Sequence, residues 1–470
     1  MSGIHHILYK KDSITLVNAE SGTKHLLTEL LLEGEITDAL PFRSGLAFLY
    51  INNSLDDVIA YLSLLNTGLT LALLKNDLEA SLKTDLESKY RPNLIFDPKR
   101  NKIPNTKQLA ITNHEIGLSF FIYDRGSTGK IDPRIKVLLS TSGTTGSPKF
   151  VKLSGENLWA NADSIASYLP IERSDTVPLN LPLNYSYGLS VLHSNLLKGC
   201  TLVTNVPDII SPEFWTGFNK YGYSTLAGVP FVYELLDRIG FRNKDLPSLR
   251  YFTQAGGNLS EPLKRAFYTY SKEKDKEFYI MYGQTEASAR ISYVPYDQLP
   301  AKINSIGTPV KNGKLYIDSE NHELLYEGPN IFGGYATSME DLKSYKNIPV
   351  LRTGDIARQD EEGFFYIVGR LKRFVKLFGN RINLDELERF LKEECPGASL
   401  ACDNIEDKFI LVSIVGDPMA FQNVKQSLFE KFKIHPSSVK LQFVKEMPLT
   451  KNGKTDYQAL SVMYADDSQP

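Results

Sequence analysis

The chain of 470 residues carries 53 Lys and Arg against 55 Asp and Glu, and 42% of its residues are hydrophobic. This length allows two or three domains with a large core, and the formal charge of -2 argues against nucleic acid as the main partner. The three cysteines suit a reducing compartment and have no zinc-binding spacing. The N-terminal stretch has no apolar signal region and the apolar runs are too short to span a membrane, so we expect a cytoplasmic protein.

From about residue 45 to residue 300, short β-rich runs alternate with stretches of helical periodicity. Ser54 is a candidate N-cap for the first of these helices, which ends near a glycine at residue 68. The predicted strands are 47–52, 70–74, 135–140, 201–204, 224–229, 249–254 and 277–282, and the predicted helices are 54–68, 157–169, 212–222, 231–240 and 261–273. This alternation predicts an α/β fold of layered, mostly parallel sheets, in which ligands bind at the carboxyl ends of the strands.

The pattern changes after residue 300. Short runs broken by Gly, Asn and Asp predict antiparallel hairpins, which would form a small β-barrel-like part of the N-terminal domain. The last hundred or so residues predict a small α+β unit. It would contain a hairpin at 374–383, helices at 384–394 and 420–432, and strands at 399–405, 408–416 and 438–447. We therefore predict an N-terminal domain of residues 1–369 and a C-terminal domain of residues 370–470, with the boundary at 369–372.

The stretch STSGTTGSPK at 140–149 follows a predicted strand and is rich in hydroxyl residues and glycine. Such a loop presents many N–H and O–H donors, and Lys149 adds a full positive charge. The spacing G-x-x-G-x-x-K is not that of a Walker A loop. The sequence therefore indicates a polyphosphate-binding loop, with a flexible surface loop as the alternative.

This stretch resembles the phosphate loop of the adenylate-forming superfamily, which includes acyl- and aryl-CoA synthetases, nonribosomal peptide synthetase adenylation domains and luciferases. The family pattern is T-S-G-T-T-G-x-P-K-G, and this chain departs from it at Phe150. Four further family strings follow in order. They are YGQTE at 282–286, LRTGD at 351–355, GRLKRFVKLFGNRI at 369–382 and PLTKNGKTD at 448–456. The resemblance covers the chain from about residue 27.

The resemblance implies that a carboxylate attacks the α-phosphorus of ATP, so that pyrophosphate leaves and an acyl-adenylate remains. The acyl group would then pass to the thiol of CoA or of a separate acyl-carrier protein. Negative charge grows on the transferring phosphorus and the leaving oxygen, so cations and fixed donors are needed there. ATP and Mg²⁺ are the implied cofactors, and a small, mobile C-terminal domain would carry the catalytic lysine.

The same resemblance assigns the residues that would contact ATP. Tyr282 would stack on adenine, Thr285 would contact the α-phosphate, and Glu286 would hold Mg²⁺, which prefers carboxylate ligands. Gly256 and Gly257 would let adenine approach the backbone. The residues that would form the phosphate loop are Thr141, Ser142, Gly143, Thr144, Thr145, Gly146 and Lys149. The alternatives without a role in binding are a tight turn at Gly256 and Gly257 and a solvated Glu286 at the end of a strand.

The remaining family strings supply ribose, hinge and acceptor residues. Asp355 and Arg370 would bind the ribose hydroxyls. Lys454 would reach both the substrate carboxylate and the bridging phosphate oxygen, although a lysine in an Asn-Gly-Lys turn is ordinarily solvated. Lys372 occupies the hinge position of the family, and Gly379 would give clearance to the acceptor thiol.

The substrate acid is the least defined part of the prediction. The acyl pocket would include Tyr185, Gly188, Gly228, Val229 and Arg290. Family members that activate amino acids carry an Asp where this chain has glycine 188, and an ammonium buried without a carboxylate partner is costly. We therefore predict a fatty or aromatic acid without an α-ammonium group.

One departure from the family also falls in this pocket. Tyr185 occupies the position of a usual histidine, and His193 is a candidate substitute for it, although a lone histidine on a helix is more often structural. Arg290 would pair with a second carboxylate of the substrate or serve in a structural ion pair.

Three functions stay open at this point. The leading one is an ATP-dependent acid–thiol ligase. The second is an adenylating enzyme that uses an amine or oxygen acceptor or activates an amino acid. The third is a degenerate nucleotide-binding protein, which the departures at Phe150 and Tyr185 favour and the retained Lys454 opposes.

Overall fold

The computed structural model describes residues 13–123, 129–140, 149–371, 373–377, 380–405, 408–450 and 454–467. The chain divides into two compact units. The second unit comprises Asn304–Ile306, Leu315–Leu325 and the chain from Arg352 onward, and the first comprises the remainder. The domain boundary expected at 369–372 stays a prediction.

The strands and helices of the described residues are numbered here along the chain. The strands are β1 Thr15–Asn18, β2 Lys24–Leu26, β3 Gly45–Ile51, β4 Leu69–Lys75, β5 Leu94–Phe96, β6 Thr106–Thr112, β7 Gly117–Tyr123, β8 Ile135–Ser140, β9 Phe150–Ser154, β10 Thr176–Pro178, β11 Thr201–Thr204, β12 Thr225–Gly228, β13 Tyr251–Gln254, β14 Glu277–Tyr282, β15 Ser292–Tyr293, β16 Thr308–Pro309, β17 Lys314–Ile317, β18 Glu323–Glu327, β19 Tyr335–Ala336, β20 Leu351–Gln359, β21 Phe365–Arg370, β22 Phe374–Leu377, β23 Asn380–Asn383, β24 Ser399–Ile405, β25 Phe409–Val415 and β26 Val439–Val444. The α-helices are α1 Leu27–Leu30, α2 Glu33–Ala39, α3 Leu55–Leu65, α4 Ala80–Tyr90, α5 Gly155–Tyr168, α6 Ser186–Lys198, α7 Pro212–Tyr221, α8 Pro230–Arg238, α9 Glu261–Glu273, α10 Leu384–Glu394, α11 Val424–Phe432 and α12 Tyr457–Asp467.

Three sheets form the first unit. Their strand orders are β10-β11-β1-β2, β12-β13-β14-β15-β16 and β19-β9-β8-β4-β3-β5-β7-β6. Strands β3, β4, β5 and β8 pair in parallel, and so do β12, β13 and β14. Strand β3 reads GLAFLYI and is almost wholly buried, as expected for a parallel strand that is covered on both faces. The helices between the strands supply that cover, which gives the layered α/β architecture.

Local sequence signals explain where several helices begin. The side chain of Ser54 accepts a hydrogen bond from the N–H of Asp57, and the Asp57 side chain accepts from the N–H of Ser54, so α3 begins with a capping box. Ser154 and Asn157 form the equivalent pair at α5. Proline stands in the first turn of α7, α8 and α9, where its missing N–H costs nothing.

The second unit holds most of the sheet β17-β18-β20-β21, the hairpin β22-β23 and the sheet β24-β25-β26. Strands β24 and β25 are antiparallel, whereas β25 and β26 are parallel. Helix α10 begins at Asn383, whose side chain accepts hydrogen bonds from the N–H groups of Asp385 and Glu386. Its apolar face packs with β24 and β25 around a buried core that includes Leu387, Cys402 and Val412.

The predicted fold class, with layered α/β parts and a small α+β C-terminal part, is confirmed. Every strand and helix predicted between residues 45 and 300 is found within a few residues of its expected bounds. The helix expected at 420–432 begins only at Val424, because a short 3-10 turn occupies Pro418–Phe421. Among the described residues, no helix combines the length and apolarity that crossing a membrane requires.

Candidate active site

Strands β12, β13 and β14 end together, and their carboxyl ends carry the first group of candidate residues. The register places Gly228 beside Gln254, and Gln254 beside Ile280. The segments that follow these strands therefore start at one edge of the sheet, which is where ligands bind in parallel α/β folds. The predicted Gly256, Gly257, Tyr282, Thr285 and Glu286 all lie in these segments or at their start.

Both the backbone conformation and the neighbouring side chain require glycine at position 256. Its φ of +86° lies in the left-handed region, and a Cβ built on it would come 2.5 Å from the hydroxyl of Tyr185. A Cβ on Gly257 would meet the ring of Pro230 at 3.1 Å. The predicted glycine pair thus brings backbone close to Tyr185, another predicted residue, at the strand ends.

Thr285 and Glu286 begin a single 3-10 turn after β14. The hydroxyl of Thr285 lies 3.2 Å from that of Ser186, the first residue of α6. Glu286 accepts a hydrogen bond of 2.8 Å from the hydroxyl of Tyr335, and the Nζ of Lys149 lies 3.1 Å from the centroid of the Tyr335 ring. The predicted metal ligand and the predicted phosphate-binding lysine therefore meet on one tyrosine.

Tyr335 was missed by the sequence analysis, and its only sequence signal is the glycine pair that precedes it. Burial raises the pKa of the Tyr335 phenol, and the adjacent Glu286 carboxylate raises it further. The phenol therefore stays protonated and can donate to Glu286. Its ring also faces the Lys149 ammonium, which is favourable because the face of an aromatic ring is negative.

The segment from Gly283 to Arg290 is held in an unusual conformation. Ser288 and Ala289 have φ values of 55° and 135°, which L-residues rarely adopt. A Cβ on Gly283 would lie 1.9 Å from the carbonyl oxygen of Ala289, so only glycine fits there. The side chain of Asn330 donates hydrogen bonds of 2.7 Å to the carbonyls of Ala287 and Arg290. These contacts fix the backbone that carries Thr285, Glu286 and Arg290.

A small cavity lies between α6 and the strands β12 and β13. Its volume is about 20 Å³, enough for a water molecule. Its described lining includes Tyr187, Asn195, Met281 and Arg290 and contains no Asp or Glu. Of the five predicted pocket residues, only Arg290 lines this cavity.

The other four predicted pocket residues do not line this cavity. A Cβ on Gly188 would come 2.2 Å from the carbonyl oxygen of Pro182, so an aspartate cannot occupy that position in this packing. A Cβ on Gly228 would lie 2.8 Å from the ring of Tyr233. Val229 and Tyr185 belong to the apolar cluster that also contains Tyr187 and Met281.

His193 is structural. It is buried on α6, and its Nε2 lies 2.8 Å from the hydroxyl of Tyr61, against whose ring it stacks. Burial lowers the pKa of His193 to about 3, so the imidazole is neutral at ordinary pH. This residue does not line the cavity described above, and the expectation that it substitutes for the missing family histidine finds no support in its contacts.

We expect His193 to make the fold sensitive to acid. Its pKa falls from 6.5 in the unfolded chain to about 3 in the folded protein, so protons bind the unfolded state preferentially below pH 6.5. The stability present above pH 6.5 is lost as the pH falls toward 3. Between pH 6.5 and 5, the free energy of unfolding should fall by about 2 kcal/mol more in the wild type than in His193→Gln. Denaturant titrations of both proteins at several pH values check this, and parallel losses would contradict it.

In the second unit, Asp355 and Arg370 lie opposite each other on β20 and β21. The Nε of Arg370 lies 3.3 Å from Oδ1 of Asp355. Asp355 is largely buried while the Arg370 side chain is exposed, so the carboxylate is held in place and the guanidinium can move. The two residues predicted to bind ribose are thus brought together.

Lys454 lies in the second unit on a turn closed by an isolated bridge between Leu449 and Thr455. Its N–H donates to the hydroxyl of Thr450 at 3.2 Å, and its carbonyl accepts from the Thr450 N–H at 2.6 Å. Its side chain is exposed.

Helix α12, which follows that turn, is anchored by Tyr457. The Tyr457 hydroxyl donates to Glu388, and the Arg373 guanidinium lies 3.9 Å from the centre of its ring. The lysine is therefore an exposed cation shortly before a helix that is anchored in the second unit.

Several predicted residues lie outside the described part of the chain. They are Thr141, Ser142, Gly143, Thr144, Thr145, Gly146, Lys372 and Gly379. Their expected roles in phosphate binding, in the hinge and at the acceptor thiol stay predictions. Tyr282 is described and half-buried at the end of β14, where its expected role in adenine stacking also stays a prediction.

Glycines, a lysine and a carboxylate gathered at the carboxyl ends of parallel strands are typical of a nucleotide-binding α/β enzyme. The comparison with known families agrees with this class. Residues 47–336 match the family of AMP-binding enzymes, which is more than half of the chain. The chain belongs to this family, and the predicted membership of the adenylate-forming superfamily is confirmed.

Curated relatives include two kinds of ligase. A 2-succinylbenzoate–CoA ligase from Bacillus cereus is 30% identical over 263 residues, which cover 54% of this chain and 53% of that protein. A D-alanine–D-alanyl carrier protein ligase from Bacillus licheniformis is 27% identical over 357 residues, which cover 69% of this chain and 70% of that protein. The chain thus spans about half the length of the first of these relatives.

Solved structures share the fold over nearly the whole chain. The o-succinylbenzoate CoA synthetase from Bacillus subtilis, in complex with an acyl-adenylate intermediate, has a TM-score of 0.78 at 20% identity, covering 98% of this chain and 97% of that one. A fatty acyl CoA synthetase from Mycobacterium tuberculosis has a TM-score of 0.72 at 18% identity, covering 99% and 98%. At this identity the likeness concerns the fold alone.

Proposed function

We propose that this protein is an ATP-dependent acid–thiol ligase. It would first join a carboxylic acid to AMP with release of pyrophosphate, and then transfer the acyl group to a thiol. The observation that carries the proposal is the convergence of Lys149 and Glu286 on Tyr335, beside Thr285, at the strand ends of an AMP-binding enzyme. A carboxylate for a metal–nucleotide complex and a cation for its phosphates belong together in such chemistry.

Each described residue has a proposed task in adenylate formation. Lys149 would bind the leaving pyrophosphate, and the hydroxyl of Thr285 would donate to an α-phosphate oxygen. Gly256 and Gly257 would form the backbone surface for adenine, with Tyr282 stacking on the base. Fixed donors act more strongly in such a site than in water because they need no reorganisation during the reaction.

Mg²⁺ is the proposed metal, and Glu286 is the described side chain that suits it. Among the described residues, no group of three or more His, Cys, Asp or Glu side chains gathers to bind a metal ion. Mg²⁺ in nucleotide enzymes is commonly held by one or two carboxylates together with phosphate oxygens and water, so a single glutamate is sufficient. When bound, the ion would neutralise charge on the phosphates of ATP. Tyr335 would orient the Glu286 carboxylate for that purpose.

In the second unit, Asp355 would accept hydrogen bonds from the ribose hydroxyls, with Arg370 as its neighbour. Lys454 would place its ammonium on the reacting carboxylate and the phosphate oxygen that bridges to it. Lys372 would serve as the hinge and Gly379 would clear the path of the thiol. The acceptor would be CoA or an acyl-carrier protein, as the names of the two relatives indicate for those proteins.

The substrate is proposed to be a carboxylic acid without an α-ammonium group. Position 188 has no room for an aspartate, and Arg290 places a positive charge in the cavity. Both features oppose an ammonium ion, which would meet a like charge and no carboxylate partner. Activation of an amino acid is the second candidate, because one relative is named as a D-alanine ligase. A cytoplasmic location stays a prediction.

Pyrophosphate release tests the proposal. The protein is incubated with ATP and Mg²⁺ against fatty acids of rising length, aromatic acids, dicarboxylic acids and amino acids, and AMP is measured in parallel. We expect one class of acid to release pyrophosphate and AMP in equal amounts, and the rate to rise further with CoA or a holo-carrier protein. Formation of ADP would contradict adenylation. ATP binding without any turnover would favour the degenerate binding protein, and stimulation by amines alone would favour the other acceptor class.

A further inference from the structure

Arg290 is a buried cation for which the described residues offer no anionic partner. Only 3% of the residue is exposed, and no carboxylate among the described residues lies within ion-pair distance. Its Nε has no hydrogen-bond partner. Its Nη1 donates to the carbonyl of Ala289 at 3.3 Å, the guanidinium also hydrogen-bonds the phenol of Tyr168, and it lies 4.1 Å from the centre of the Tyr187 ring.

This arrangement is costly in the free protein. Arginine stays charged at every accessible pH, and a buried charge without a partner lacks the solvation that water would give it. Burial raises the pKa of Tyr187 to about 12, and the nearby Arg290 charge acts in the opposite direction. Burial likewise raises the pKa of Tyr168, again opposed by Arg290. The surrounding phenols therefore stay neutral and do not balance the guanidinium.

The backbone of Arg290 is nevertheless fixed by dedicated contacts. Its N–H donates to Oδ1 of Asn161 at 3.1 Å, and its carbonyl accepts from Nδ2 of Asn330 at 2.7 Å. The two residues before it, Ser288 and Ala289, have strained positive φ angles. These contacts fix the backbone position from which the guanidinium reaches the cavity wall.

The other residues that line the cavity show its polarity and its position along the strands. Oδ1 of Asn195, a lining residue, is buried and unsatisfied, and as an acceptor it would pair with a donor such as water and not with the carboxylate. Thr225 and Tyr251, the first residues of β12 and β13, line it as well. Thr225 lies three residues before Gly228, or about 10 Å at the rise of a β-strand. The cavity thus reaches well below the strand ends where Thr285 lies.

We propose that Arg290 binds a second carboxylate of the substrate, so that this enzyme activates a dicarboxylic acid. One carboxylate would react at the strand ends, and the other would pair with the guanidinium of Arg290. The Nε and Nη donors of the guanidinium suit a planar anion such as a carboxylate. This inference rests on the proposed function, since it concerns the acid that the same site would adenylate.

The test compares acids that differ only in the second charge. A series of α,ω-dicarboxylic acids of rising length is assayed for pyrophosphate release against the corresponding monomethyl esters, with wild type, Arg290→Met and Arg290→Lys. In the wild type we expect the best dicarboxylate to exceed its ester at least about tenfold in kcat/KM, mainly through KM. The ratio of kcat/KM for the dicarboxylate to that for its ester should fall toward one in Arg290→Met and be partly kept in Arg290→Lys. Met281→Leu, which alters the same cavity without changing charge, should keep the preference.

The ligand-free protein gives a second readout that does not depend on the choice of acids. Because Arg290 is uncompensated without substrate, Arg290→Met should have a Tm equal to or above that of the wild type. Dicarboxylates should raise the Tm of the wild type and not that of Arg290→Met. A Tm several degrees lower in Arg290→Met would mark Arg290 as structural and overturn the inference. So would equal use of the dicarboxylates and their esters by the wild type.

The two proposals can fail separately. If monocarboxylic acids release pyrophosphate as well as dicarboxylic acids do, the ligase function stands and the assignment of Arg290 is wrong. If no acid releases pyrophosphate while dicarboxylates still raise the Tm only when Arg290 is present, the anion site stands and the ligase function is wrong.

Discussion

Replacing Lys454 by alanine is expected to lower the rate of acid-dependent pyrophosphate release about 10²–10³-fold. The exposed ammonium is the proposed cation for the charge that grows on the reacting phosphate, and a methyl group cannot supply it. The turn itself is closed by backbone contacts with Thr450 and by the bridge between Leu449 and Thr455, which the substitution leaves in place. ATP binding, measured by calorimetry, should therefore change little.

Two further variants show whether the loss of rate comes from the missing charge or from a change in structure. Lys445→Ala removes another exposed lysine of the same unit and should keep the wild-type rate. Lys454→Arg keeps the positive charge on a side chain of different shape, so its rate of pyrophosphate release should lie between those of Lys454→Ala and the wild type. If Lys454→Ala loses ATP binding by the same factor as the rate, the lysine holds nucleotide or structure and is not a catalytic group.

The parts of the fold that the sequence predicts well are those set by local patterns. Strand β3 is a continuous apolar run, and α3 begins at a serine with a carboxylate three residues later, so each is recognisable without its neighbours. The hairpin of β6 and β7 escaped prediction, because β6 reads TKQLAIT and is mostly exposed, although β7 contains the apolar run FFIY. Helix α12 was also missed, since it has little amphipathic periodicity and forms beside Arg373 and Glu388.

In the candidate site too, the residues in local sequence motifs were predicted, and the contacts between distant residues were not. Thr285, Glu286 and Asp355 stand in contiguous strings that can be recognised along the chain. Tyr335 lies forty-nine residues from Glu286, so no local pattern indicates that their side chains meet. Arg290 is buried and has no acidic partner among the described residues, whereas the sequence left its role open between an ion pair and a ligand. The conflict between a buried charge and its surroundings appears only when the packing is known.

Glu286→Gln is expected to lower pyrophosphate release at least about 100-fold at a fixed concentration of ATP and Mg²⁺. The substitution keeps the size of the side chain and an oxygen that can accept from Tyr335, so the local packing should persist. It removes the negative charge that would hold the metal–nucleotide complex. The Mg²⁺ concentration needed for half the maximal rate should rise, and calorimetry should show weaker binding of Mg·ATP than in the wild type.

Tyr335→Phe is the matched variant. It keeps the aromatic ring under Lys149 and the charge of Glu286, and it removes only the hydrogen bond from the Tyr335 hydroxyl to Glu286. Losing one such bond is worth about 1 kcal/mol, so the rate should change by less than about tenfold. Its Mg²⁺ requirement should stay near that of the wild type. If Glu286→Gln and Tyr335→Phe have equal and small effects, the glutamate acts only as a structural acceptor for the tyrosine, and the metal must be held by other groups. A large effect of Glu286→Gln alone would locate the metal at this carboxylate.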